Sequence, residues 1–108
     1  MKAALRMSLV RGLGLRSANN LLRHFKQPER VFEANRDEIE AQGVPPEVAN
    51  DLLSQKSAER AEEESEKAAG LGVEILDILD PRYPPFLREI FDPPLVLYIR
   101  GKKWDSEL

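Results

Sequence analysis

The residues best placed to do chemistry lie in the segment Val10-Arg-Gly-Leu-Gly-Leu-Arg-Ser-Ala18, followed by Leu21 and Leu22. Glycines at 12 and 14 let the backbone turn tightly and approach another surface closely. Amides at the start of the next helix then point at one anionic group, favoured by the helix dipole. Arg11 and Arg16 flank that point, Ser17 lies beside it, and Arg23 and Lys26 carry positive charge further along. A nucleic-acid phosphate suits this cradle, and such a contact reads the backbone and not the bases. The same turn equally serves close packing of two helices, so the motif alone leaves a phosphate contact and a protein-only hairpin both open.

Competing chemistries have weaker support. Gly12-x-Gly14-x-x-Ser17 follows a helix where a dinucleotide-binding turn follows a strand, and has Ser17 where that turn has glycine or alanine. Gly43-Val-Pro-Pro-Glu-Val-Ala49 has the outline of a second hairpin, but its prolines remove amide donors and Glu47 repels phosphate. There is no cysteine, which excludes disulfides, thiolate zinc sites and cysteine nucleophiles. His24 is the single histidine, with no partner for a metal. Glu62, Glu63, Glu64 and Glu66 include same-face pairs on a helix, and a solvated face explains them better than hard-cation or acid–base work. No catalytic, cofactor or metal residue is assigned, and the chain reads as non-enzymatic.

The elements must bring a basic segment to a surface that is acidic overall. The net charge is −3, yet residues 1–30 hold seven basic side chains against one acid, a net of +6. Residues 31–80 carry a net of −10 and residues 81–108 a net of +1. Binding follows local potential over a Debye length of about 8–10 Å, so the basic third is the part that suits a polyanion. With 42% apolar and 32% charged residues the composition is that of an ordinary soluble chain. No window approaches a membrane span, and Arg6 interrupts the N-terminal apolar stretch, against a signal peptide. A cytoplasmic location without membrane partners is expected.

Hydrophobic spacing predicts a helix to about Leu9, a second over 16–26 with Ala18, Leu21, Leu22 and Phe25 on one face, and a short one over 28–34. Asn35 and Glu38 predict a capping box, with helix to about Ala41. Pro46 opens a long helix to 69 that carries the chain away from the first unit. After Gly70 the period changes: 73–79 and 95–99 read as strands, the second continuous enough to be buried on both faces. Tyr83–Ile90 reads as a short helix between them, so the order strand, helix, strand predicts the opening of a parallel α/β unit. Two strands make no stable sheet alone, which predicts a fragment of a longer protein whose exposed strands are partly disordered or self-associate.

The combination of the Gly-Leu-Gly hairpin, Phe32-Glu-Ala, the strand into Asp80-Pro-Arg-Tyr-Pro-Pro-Phe-Leu-Arg-Glu-Ile90, and Asp92-Pro-Pro-Leu-Val-Leu-Tyr-Ile-Arg-Gly101 resembles the N-terminal part of the DNA-processing protein A family, also called DprA or Smf. The resemblance covers about Leu5 to Gly101, with Arg11 where the family's hairpin commonly has proline. It implies a bacterial cytoplasmic protein of natural transformation that binds incoming single-stranded DNA and helps load the RecA recombinase. It further implies a helical, helix-hairpin-helix or SAM-like domain ahead of a Rossmann-type domain, which holds the principal single-strand pocket and the main homodimer contact.

The expected fold is thus mainly α. A small helix-hairpin-helix or SAM-like domain over 1–69 precedes a strand-helix-strand entry, 70–108, to a truncated Rossmann-type α/β domain. The expected function is auxiliary, sequence-independent binding of the DNA backbone through Arg11, Gly12, Gly14, Arg16, Ser17, Arg23 and Lys26. The rival is a docking module with no DNA contact, favoured by the acidic middle segment. Tyr83, Pro84, Pro85, Asp92, Pro93 and Pro94 read as scaffold, with Tyr83 packed; Trp104 is given no role.

Overall fold

A computed structural model describes residues 2–100, so Gly101 and Trp104 lie outside the described residues. Seven helices, α1 (Ala3–Ser8), α2 (Leu15–Phe25), α3 (Pro28–Val31), α4 (Arg36–Glu40), α5 (Pro46–Leu52), α6 (Gln55–Gly70) and α7 (Pro85–Arg88), accompany two strands, β1 (Val73–Asp77) and β2 (Val96–Arg100). The fold is mainly helical, with a two-stranded antiparallel sheet.

The helices form where local signals place them. Leu5, Met7 and Val10 from α1 and its exit meet Ala18 and Leu21 of α2, Val31, Ile39, and Ala49 and Leu52 of α5 in one buried cluster. Fully burying a side chain of this size stabilises the fold by roughly 1.5–3 kcal/mol. Asn35 caps α4 as a capping box: its Oδ1 accepts from the Glu38 amide (2.9 Å), while the Asn35 amide donates to Glu38 Oε1 (3.1 Å). The helices expected over 28–34 and 83–90 are shorter, each reduced to a four-residue turn opened by proline.

The long helix expected from 46 to 69 is two helices. Ser54 breaks it, its hydroxyl accepting from the Ser57 amide to cap α6. Arg6 fixes the break from α1: its Nε donates to Ser57 Oγ (2.6 Å), its Nη2 donates to the Ser54 carbonyl (3.0 Å), and its guanidinium lies 4.0 Å from the Phe32 ring centroid. Redirected in this way, α6 packs along α1 and β1 instead of leading away.

The parallel expectation for the strands is corrected. Val73 pairs with Arg100 and Asp77 with Val96, in antiparallel register. The excursion over 79–94 contains only one helical turn and leaves and returns at the same end of the sheet. The Ile78 amide donates to the Leu95 carbonyl (2.8 Å), and the Tyr83 hydroxyl donates to the Pro94 carbonyl (2.7 Å), closing the loop across its base. A parallel crossover would have had to carry the chain back to the opposite end. Nor is β2 buried throughout: Val96 is its one buried residue, Leu97 and Ile99 are half-buried, and Tyr98 and Arg100, on the same face as Val96, are exposed. Leu95 and Val96 join the helical core, so the strands pair with each other and seat on α1 and α6.

Candidate nucleic-acid interface

Gly12 turns the chain between α1 and α2 with φ at +91°, where an added Cβ would stand 3.0 Å from Val48 Cγ2 of α5. Both facts favour glycine there: the positive φ strains any side chain, and a Cβ would also push Val48 aside. Gly14 is different. It is the N-cap of α2 with extended backbone (φ −71°, ψ 170°), and nothing lies within 4 Å of where its Cβ would be. No side chain caps α2. Its first amides, at Leu15, Arg16 and Ser17, therefore have no acceptor within the helix, and an exposed glycine stands in front of them.

The structure brings Arg11, Gly12, Gly14, Arg16 and Ser17 to this one end of α2. Arg11 is exposed, the Arg16 side chain is 71% exposed, and Ser17 is half-buried. Arg23 and Lys26 stand toward the other end, about 10 and 15 Å along from Arg16 at about 1.5 Å per residue. They extend the positive edge but cannot share a phosphate with Arg16. Arg23 donates to Asn20 Oδ1 at 2.6 Å. Among the described residues neither Arg11 nor Lys26 forms a salt bridge. Lys26 follows α2 with φ at +75°, an unusual backbone for a lysine.

Three features escaped sequence reasoning. Arg6, counted with the basic third, is committed to Ser57, Ser54 and Phe32, and burial lowers its pKa. Asn19 is buried inside α2 and donates from Nδ2 to the Leu15 carbonyl (2.8 Å) and the Pro93 carbonyl (3.0 Å), tying the hairpin helix to the end of the excursion. Its spacing of three residues from Leu22 was the one available signal. The third is the setting of Arg16, whose Nε stands 3.9 Å from Asp92 Oδ2 and whose guanidinium lies 5.2 Å from the Phe91 ring centroid. Phe91 had no marking in the sequence beyond its place before Asp-Pro-Pro.

Compared with family models, curated proteins and solved structures, the chain matches none of them.

Elsewhere the charged groups serve the fold. Arg82 bridges Glu74 (2.6 Å) and Asp80 (3.2 Å). The hydrogen bond from Arg82 holds the Asp80 carboxyl below its ordinary pKa, whereas burial raises that of Asp77. Tyr83 is wholly buried, as packed scaffold should be, and Arg88 lies over its ring. His24 is exposed and edge-on to Phe25. Among the described residues no group of three or more His, Asp or Glu side chains could hold a metal ion, and no helix is long and apolar enough to cross a membrane.

Proposed function

We propose that this chain is the N-terminal part of a DNA-processing protein of the DprA or Smf kind, and that its hairpin is an auxiliary module holding DNA by the phosphate backbone. In that setting a following Rossmann-type domain binds single-stranded DNA and dimerises, and the whole protein loads RecA in the cytoplasm without catalysing a reaction. The observation that carries the phosphate contact is Gly14. Neither its backbone angles nor its surroundings demand glycine, while a bare N-cap leaves the α2 amides open to a ligand oxygen. Arg11 and Arg16 supply the charge beside it, and Arg23 and Lys26 meet the strand further on.

About three phosphate contacts imply weak binding with a shallow salt dependence, a log–log slope of roughly −2 to −3. An amide chemical-shift titration with a short single-stranded oligonucleotide at low salt tests this. Shifts should cluster at Arg11–Ser17 and vanish with added salt; a folded chain showing no shifts would sink the reading. Charge reversal at Arg16 and Arg23 should abolish the interaction.

A second reading, a docking module, draws on a groove of about 320 Å³ between α1, α3 and α6, where Ala58 and Ala61 are ringed by Glu29, Glu33 and Glu62 and by Lys2 and Arg6. A protein segment with apolar side chains flanked by mixed charges fits that chemistry. Under this reading the same charge reversals leave assembly untouched.

A further inference from the structure

We infer that Phe91 is a stacking platform for an unpaired base, set beside the phosphate cradle at the start of α2. This rests on the phosphate reading above and adds to it a reason for the hairpin to prefer strands whose bases are unpaired. Phe91 is 72% exposed, as Phe86 on the same excursion is at 70%, but of the two only Phe91 has a cation of the α2 edge against its ring. The backbone that follows it is held firmly. Pro93 is buried, and its carbonyl accepts from the buried Asn19 side chain of α2. The next carbonyl, of Pro94, accepts from Tyr83. The ring is thus displayed outward just ahead of a segment anchored at Pro93 and Pro94, which lowers the ordering cost a ligand must meet.

What selects the occupant is the neighbouring cation. The Arg16 guanidinium lies 5.2 Å from the ring centroid and is itself largely exposed. Asp92 faces only its Nε, at 3.9 Å, and among the described residues its terminal nitrogens donate to no acceptor. With Arg16 over one face of the ring, the opposite face is the one a base would take. An aromatic ring paired with a guanidinium able to take a phosphate is the means by which proteins hold single strands, base on the ring and backbone on the cation. A duplex keeps its bases stacked inside and offers the ring nothing. Asp92 repels the strand from one side, so the platform adds most where phosphate attraction alone is weak.

The test uses the full 108-residue chain, an oligothymidylate of about ten nucleotides, and an abasic strand with the same number of phosphates, compared by fluorescence anisotropy at low salt. The chain should bind the oligothymidylate about 5- to 100-fold more tightly than the abasic strand, the worth of one stacked base. Phe91→Ala should remove that preference while leaving abasic binding unchanged, and Phe91→Tyr should keep it. Arg16→Glu should weaken both strands. Equal binding of both strands by the unaltered chain, or equal loss of both in Phe91→Ala, overturns the platform and leaves the phosphate cradle standing. No binding of either strand overturns both. A Phe91→Ala chain that keeps its preference but loses self-association in sedimentation also overturns the platform, and makes Phe91 a protein contact.

Discussion

Gly14 and Asn19 sit on one helix and invite opposite experiments. Gly14→Asp places a capping carboxylate in front of the open α2 amides, at a site with room for it. It should stabilise the fold by a few tenths to about 1 kcal/mol in urea denaturation. The same carboxylate satisfies the donors and repels phosphate, so oligonucleotide shifts at Arg11–Ser17 should disappear. Gain in stability with loss of binding is the signature of a glycine kept for a ligand; unchanged binding would mean that the amides hold nothing. Asn19→Ala removes the only side-chain link from α2 to Pro93 and leaves that carbonyl buried and unpaired. The expected cost is about 1–3 kcal/mol, read as a lower denaturation midpoint, with the Phe91 segment loosened in the same variant.

Among the elements, the end of α2 is the place where the chain works against its own backbone preference. Lys26 closes the helix at a positive φ (φ 75°, ψ −32°), a backbone that a residue with a side chain rarely adopts. Lys26→Gly should therefore stabilise by about 0.5–1 kcal/mol, and thermal denaturation would show it as a raised midpoint. Elements whose signals are local were legible in the sequence. The Asn35–Glu38 box, the apolar face of α2 and the glycine turn before it each depend on residues within a few positions. The split between α5 and α6 was not, because it is fixed by Arg6, 48 residues from the Ser54 carbonyl that it holds. Strand direction was hidden for a related reason. A period of two marks a strand but carries no direction, and here the direction follows from Tyr83 closing on Pro94. At the candidate site, the glycines and arginines could be read from spacing, while Phe91 and Asp92 reach Arg16 only through the folded excursion.

Taken whole, the molecule fastens its sheet to its longest helix through Tyr98, whose hydroxyl donates to Glu64 Oε2 at 2.9 Å. Burial first, and then the hydrogen bond and charge of Glu64, push the Tyr98 pKa up to about 12. The folded state thus favours the protonated phenol. The stability it contributes is complete below the ordinary value of about 10 and is lost as pH rises from there through about 12. Melting temperature should fall across that window, and Tyr98→Phe should flatten the fall. An ultraviolet titration placing Tyr98 at its ordinary value would contradict the contact. Seen at this scale, the charge asymmetry of the sequence becomes geography. The α2 edge is positive, while the exposed face of α6 presents Glu59, Glu62, Glu63 and Glu66.

The link from Asn19 to Pro93 joins residues 74 positions apart, and this separation sets an order of assembly. Helices α1 to α5 are complete by Leu52, so their shared core can assemble before the excursion exists. The Asn19–Pro93 bond must wait for the excursion to reach α2, at a loop-closure cost that grows with the separation it spans. On a growing chain, α2 is therefore made long before Asp92 and Phe91 reach it. Until they arrive, Arg16 has neither neighbour and the cradle stands at its most positive, so the excursion completes the site and also tempers its charge.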